Sequence, residues 1–176
     1  DIMNTVEINR QINPDSIVST YGADTLRIYE MFMGPFDQSV SWSDEAIIGP
    51  RRFLERVWKM GKKVSENRKN FSGPRVVRAS VLNKSGLNQT IQNPSGSFSL
   101  QKLLHKTIKK VSEDIEQMRF NTAVSTLMIL LNEMEKNEIS KDVYEKFLQL
   151  LSPFAPHITE EIWQNLYPHL ASPYIR

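Results

Sequence analysis

Apolar residues recur at intervals of three and four through most of this chain, and the places where the rhythm fails mark the ends of its elements. Leu100, Leu103, Leu104, Ile108, Val111 and Ile115 draw one stripe along a helix predicted from Ser99 to about Gln117. Asn121, a side chain suited to capping, opens the next helix, with Val124, Leu127, Met128, Leu131 and Met134 facing inward. A third runs from Lys141 to Leu151 through Tyr144, Phe147, Leu148 and Leu151, and Pro153 and Pro156 break it. His157 to Tyr167 forms a last helix through Ile158, Ile162, Trp163 and Leu166.

The first third obeys the same period. Asn13 as N-cap and Pro14 at the first helical position start a short helix that stops at Tyr21-Gly22, where the glycine suits a C-terminal cap. A second helix spans Ala23 to Phe32, with Asp24 in its first turn and Leu26, Ile28, Tyr29 and Phe32 as its apolar surface; Gly34-Pro35 ends it. Ser43, followed by Asp44 and Glu45, predicts the start of a long helix to about Asn67 that carries Ile47, Leu54, Val57, Trp58, Gly61 and Val64 inward, with a bend at Gly49-Pro50. Residues 70–98 keep no steady period and are expected to form a surface connection, with a short element around Val76 to Leu82. The pattern predicts an all-α helical bundle with antiparallel neighbours.

Charge changes this picture more than composition does. Formal net charge is only +2, yet the segment from Arg51 to Lys110 holds 15 Lys and Arg against two acids, Glu55 and Glu66. The remainder holds 7 basic and 18 acidic residues, so the positive charge is concentrated in one stretch, as in chains that bind polyanions. No apolar run approaches the roughly 18 residues of a membrane helix, so no membrane partner is expected. With no cysteine there are no disulfides or thiolate metal sites, which fits a reducing cytoplasmic setting. His105, His157 and His169 lie too far apart to form a metal-ligand spacing.

The basic residues fall into two stripes. Arg52, Arg56, Lys59 and Lys63 share one face of the long helix, with Arg51 and Lys62 beside it; Lys102, Lys106, Lys109 and Lys110 share a face of the helix from Ser99. Any one of these lysines alone is a solvated helix face. Two stripes, each opposite an apolar face, are expected to act as two rails for a phosphate backbone, which gives affinity and register with little sequence discrimination. Trp58 and Trp163 sit at core spacing, whereas Trp42 lies in a connection and is the tryptophan least constrained against base stacking. No catalytic residues are identified: there is no Gly-rich phosphate loop and no nucleophile motif. Glu160-Glu161 is expected to favour the dipole of the last helix from its first turn, and His157 to cap or pack near the same helix start.

These residues also carry a resemblance. Asn13-Pro14-Asp15-Ser16-Ile17-Val18 and Tyr21-Gly22-Ala23-Asp24-Thr25-Leu26-Arg27-Ile28-Tyr29 resemble the segment after the KMSKS loop of class I aminoacyl-tRNA synthetases. Glu30-Met31-Phe32-Met33-Gly34-Pro35, Trp42-Ser43 and Arg52-Phe53-Leu54-Glu55-Arg56-Val57-Trp58 are similar to the bacterial-type leucyl-tRNA synthetases in particular. Asn121-Thr122-Ala123 and the run from Ser152-Pro153-Phe154-Ala155-Pro156-His157 to Ile162-Trp163 resemble the helical anticodon-binding domain of the leucyl, isoleucyl and valyl group.

The resemblance implies residues 1–33 as a connecting segment after a catalytic fold and residues 34–176 as a helical tRNA-binding domain. It implies a parent leucine–tRNA ligase that uses ATP and Mg2+, with leucine tRNA and the remainder of the synthetase as partners. The HIGH motif is absent, as is the editing insertion, and no KMSKS lysines precede Asn13; Asn4-Thr5-Val6 is either a remnant of the sequence after that signature or part of a degenerate one. The chain is therefore expected to be an inactive piece of a larger enzyme that grips tRNA. The alternative expectation, from a different class, is a helical protein-interaction module whose basic faces meet an acidic partner.

Overall fold

The computed structural model describes residues 13–35, 37–38, 41–69 and 94–168, and these form seven helices and no strand. They are α1 (Pro14–Tyr21), α2 (Ala23–Phe32), α3 (Ile48–Lys69), α4 (Pro94–Glu116), α5 (Phe120–Lys136), α6 (Lys141–Leu151) and α7 (Pro156–Leu166). The all-α expectation holds. The predicted element around Val76 to Leu82 and residues 1–12 lie outside the described residues.

Asn13 caps α1 as expected, its side-chain oxygen accepting from Asp15 N at 2.9 Å. Gly22 turns the chain into α2 at φ +88°, a left-handed geometry that a side chain resists. Ser43 does not start α3. Its hydroxyl accepts from Ala46 N in a turn, and the backbone stays in three-residue closures until Arg51 N bonds Ile47 O. Pro50 explains the delay: it has no N–H to donate and would clash with a preceding turn, but both penalties vanish in the first turn of a helix that begins at Ile48. For the same reason α4 begins at Pro94, ahead of Ser99.

The corner between α4 and α5 departs from expectation at Asn121, which is not an N-cap, since α5 already begins at Phe120. Met118 takes φ +58°, Met118 N bonds Ile115 O and Arg119 N bonds Asp114 O, so the last carbonyls of α4 are satisfied without a glycine. Ser140 caps α6, its hydroxyl accepting from Val143 N at 3.4 Å.

The core forms where α3 to α7 meet. Leu127, Leu130, Leu131 and Met134 of α5, Tyr144, Phe147 and Leu151 of α6 and Val57 of α3 are fully enclosed, and Ile28 carries α2 into the same cluster. A smaller cluster of Ile17, Tyr29 and Ile47, lined by Trp42 and Leu26, roots α1 and the 41–47 turn. Phe32 is exposed instead of joining it. Tyr144 is the polar member of the main core. Its hydroxyl donates to Val57 O at 2.7 Å, and burial pushes its pKa well above the ordinary phenol value.

At Gly61 α3 lies tight against α6 and α7: an added Cβ would stand 3.0 Å from both the Tyr144 Oη and Ile162 Cγ2 atoms. Gly61→Ala should therefore destabilise the protein by about 1–3 kcal/mol in urea unfolding. Gly49→Ala, where a Cβ meets nothing within 4 Å, should be neutral or slightly stabilising. Equal losses at both positions would contradict this account of the α3 contact.

Candidate nucleic-acid interface

The site is best built from what holds its walls. Asp24 lies in the first turn of α2 and is buried, yet its carboxylate is fully used at the start of α7. One oxygen accepts from Ile158 N at 2.7 Å; the other lies 2.8 Å from His157 Nδ1 and 3.4 Å from His157 N. A carboxylate only accepts, so the ring Nδ1 carries the proton. Arg27, one turn on, donates to Pro153 O at 2.9 Å and Phe154 O at 3.3 Å. The proline-rich corner between α6 and α7 leaves backbone groups without helical partners, and Asp24 and Arg27 satisfy them from another helix. Glu160 and Glu161 lie beyond the first turn of α7, so the negative charge at this helix start comes from Asp24. His157 sits at this helix start, held by its bond to Asp24 with its ring largely exposed.

Beside this junction a groove of about 730 Å3 runs between α2, α3 and α7. Tyr21, Asp24, Arg51, Trp58, Lys59, Lys62, His157 and Glu161 are among the residues lining it. Trp58 is half-buried, and Lys62 Nζ sits 5.6 Å from its ring centroid. Trp42 is no free platform: it packs on Tyr29 at 4.6 Å between centroids, and its Nε1 donates to Asp44 at 2.7 Å. Trp163 is buried. Trp58 packs against the main core, as its spacing predicts, and Trp42 against the smaller cluster; both stay partly exposed.

The nine candidate cations divide into two groups. Arg56 forms a bidentate pair with Glu135 of α5, at 2.9 and 2.6 Å, and also donates to Asn132. The bonds to Arg56 hold the Glu135 pKa below, and those to Glu135 hold the Arg56 pKa above, their ordinary values. Arg51 bonds Glu55 at 3.0 Å and Tyr21 O at 2.8 Å. Lys110 and Arg119 converge on Asp114, a carboxylate with no exposure, at 2.7 and 2.9 Å. Lys109 faces Glu113 loosely at 3.8 Å.

Arg52, Lys59, Lys63, Lys102 and Lys106 are exposed and have no acidic partner among the described residues. Arg52, Lys59 and Lys63 keep one stripe on α3, and Lys102 and Lys106 one on α4. The two helices make little direct contact: α3 packs chiefly on α7 and α2, and α4 chiefly on α5. Among the described residues no three His, Asp or Glu converge as a metal site. No described helix is long and apolar enough to cross a membrane.

Residues 99–174 match the family described as the anticodon-binding domain of tRNA ligase. Over these residues the chain is similar to the anticodon-binding domain of the class I tRNA synthetases. The solved agnB2 LeuRS of Agrobacterium radiobacter K84, in a ternary complex with tRNA and LeuAMS, is 26% identical and superposes with a TM-score of 0.69 over 88% of this chain. The apo methionyl-tRNA synthetase of Mycobacterium tuberculosis, at 18% identity and a TM-score of 0.63 over 88% of the chain, shares the fold. The chain spans 19% of the first protein's length and 34% of the second's.

The matched region carries an acid-sensitive corner. Burial pushes the Asp114 pKa up, but hydrogen bonds from Lys110, Thr122 and Arg119 outweigh it and leave the pKa below the ordinary aspartate value. A depressed carboxylate contributes stability above its unfolded pKa and loses it as pH falls through the folded one. The Asp114 and Glu135 contributions should therefore be intact at neutral pH and disappear below about pH 4. Urea midpoints measured from pH 7 to pH 2.5 should fall in that window, with a shallower fall in Asp114→Asn. An unchanged slope in that variant would contradict the assignment.

Proposed function

We propose that this chain is the tRNA-gripping part of a leucine–tRNA ligase. The observation that carries the reading is the likeness over 88% of the chain to a LeuRS solved with tRNA, at higher identity than the methionyl enzyme. In this reading residues 1–33 connect to the catalytic fold and residues 34–176 hold the tRNA. The remainder of the synthetase supplies ATP, Mg2+, leucine selection and the ligation chemistry in the cytoplasm. The chain alone is inactive, because no lysine stands where the KMSKS signature would precede Asn13.

The exposed cations Arg52, Lys59, Lys63, Lys102, Lys106 and the loosely paired Lys109 meet phosphates; Arg51, Arg56 and Lys110 chiefly hold the scaffold. A backbone grip of this kind is insensitive to sequence and sensitive to salt. In a salt series, leucine tRNA and an unrelated tRNA should bind alike and weaken steeply together. The double variant Lys102→Ala, Lys106→Ala should flatten the log–log slope by about 1 to 2 for both tRNAs. Loss confined to leucine tRNA, or no binding at low salt, would contradict the backbone account.

Leucine identity is tested separately. Grafted in place of the corresponding segment of a bacterial leucyl-tRNA synthetase, the chain should support leucylation, and the equivalent graft into a methionyl enzyme should fail to support methionylation. The reverse result would reassign the parent.

A further inference from the structure

We propose that Glu135 is a negative determinant of RNA binding: by holding Arg56 it withdraws the centre of the α3 stripe, so that phosphates engage Arg52 on one side and Lys59 with Lys63 on the other. The inference rests on the tRNA-binding reading and goes beyond it, since it gives an acid a part in setting the grip. On spacing alone Arg52, Arg56, Lys59 and Lys63 form one continuous row along α3. In the structure Arg56 is half-buried and the other three are exposed.

The way Arg56 is held sets it apart. Arg51, Lys109 and Lys110 pair with acids four residues away on their own helices, whereas Arg56 crosses to α5 and meets an acid 79 residues away in sequence. Its Nε and one terminal nitrogen donate to the two Glu135 oxygens at 2.9 and 2.6 Å, and the same terminal nitrogen donates to Asn132. The planar fork that would clasp a phosphate is thereby filled. Those bonds also hold the Glu135 carboxyl below its ordinary range, so the acid stays charged at neutral pH.

The consequence is a break in the row. At 1.5 Å of rise per residue, Arg52 and Lys59 stand roughly 10 Å apart along the axis, and Lys59 and Lys63 roughly 6 Å. The longer interval carries no net charge, because Glu135 cancels Arg56. Glu135 keeps 37% of its side chain exposed, so a backbone laid lengthwise on α3 would bring a phosphate against a carboxylate there. A backbone that crosses the helix beside Arg52, or beside Lys59 and Lys63, avoids it. The arrangement lowers affinity for every RNA alike and favours release of the bound one.

The test is a charge cycle read by anisotropy in a salt series, with leucine tRNA and an unrelated tRNA as probes and urea midpoints to confirm folding. Glu135→Gln should bind both tRNAs about three- to tenfold more tightly at low salt and steepen the log–log slope by about 1, because Arg56 is freed for a phosphate. Glu135→Asp, which keeps the charge, should stay near wild type. Arg56→Gln combined with Glu135→Gln removes both charges, keeps an amide pair between the helices and should return affinity and slope to wild-type values.

Unchanged or weaker binding by folded Glu135→Gln would overturn the proposal and leave the tRNA-binding reading intact. So would a slope flattened by about 1 in the neutral pair, which shows Arg56 already on a phosphate in the wild type; that arm decides the matter even if Glu135→Gln does not fold. Failure of the wild-type chain to bind either tRNA at low salt would overturn both.

Discussion

A carboxylate buried to 7% exposure persists in a fold only if its oxygens are hydrogen-bonded, and Asp24 meets that demand entirely at the start of α7. This contact spans more than 130 residues of sequence and joins two of the stretches that carry the family resemblance. It also answers a need on the other side. The corner around Pro153 and Pro156 exposes carbonyls and N–H groups that no local hydrogen bond satisfies, and Arg27 and Asp24 take both kinds from consecutive turns of α2. The position of α2 therefore follows from backbone accounting at α7 as much as from the burial of Ile28. The groove wall formed by Tyr21, Asp24 and His157 follows from it in turn.

The positive charge of the chain is divided between scaffold and surface by the same logic. Where a cation reaches an acid on a neighbouring helix or at a corner, as Arg56 reaches Glu135 and Lys110 reaches Asp114, removing it would strand a carboxylate. Where no acid among the described residues lies within reach, as at Lys102, Lys106 and Lys59, the charge stays available to a polyanion. Net charge alone cannot make this division, because it weighs a paired arginine and a free lysine equally.

The helices were legible in the sequence because burial follows the 3.6-residue period closely: Leu127, Leu131 and Met134, or Phe147, Leu148 and Leu151, are enclosed as their spacing requires. Element starts were less legible. Ser43 and Asn121 look like caps, but Pro50 and the left-handed Met118 decide where the backbone becomes helical. The site was legible as a composition and not as an arrangement. The basic residues were identified, but Arg56 meets Glu135, 79 residues away, only through the fold, whereas Lys110 and Asp114 stand four residues apart on one helix. Trp58 packs on the core as its spacing requires, whereas the packing of Trp42 on Tyr29 was not legible, because a tryptophan in a connection can still stack on a helix.

The most direct test of this account is native-state amide hydrogen exchange of wild type and Asp24→Ala. If Asp24 couples α2 to α7, protection should fall together along α2 and the first turn of α7, including Ile158, while α5 and α6 keep theirs. If the substitution lowers protection only at His157 and Ile158, or nowhere, the carboxylate is a local cap and the coupling account is wrong.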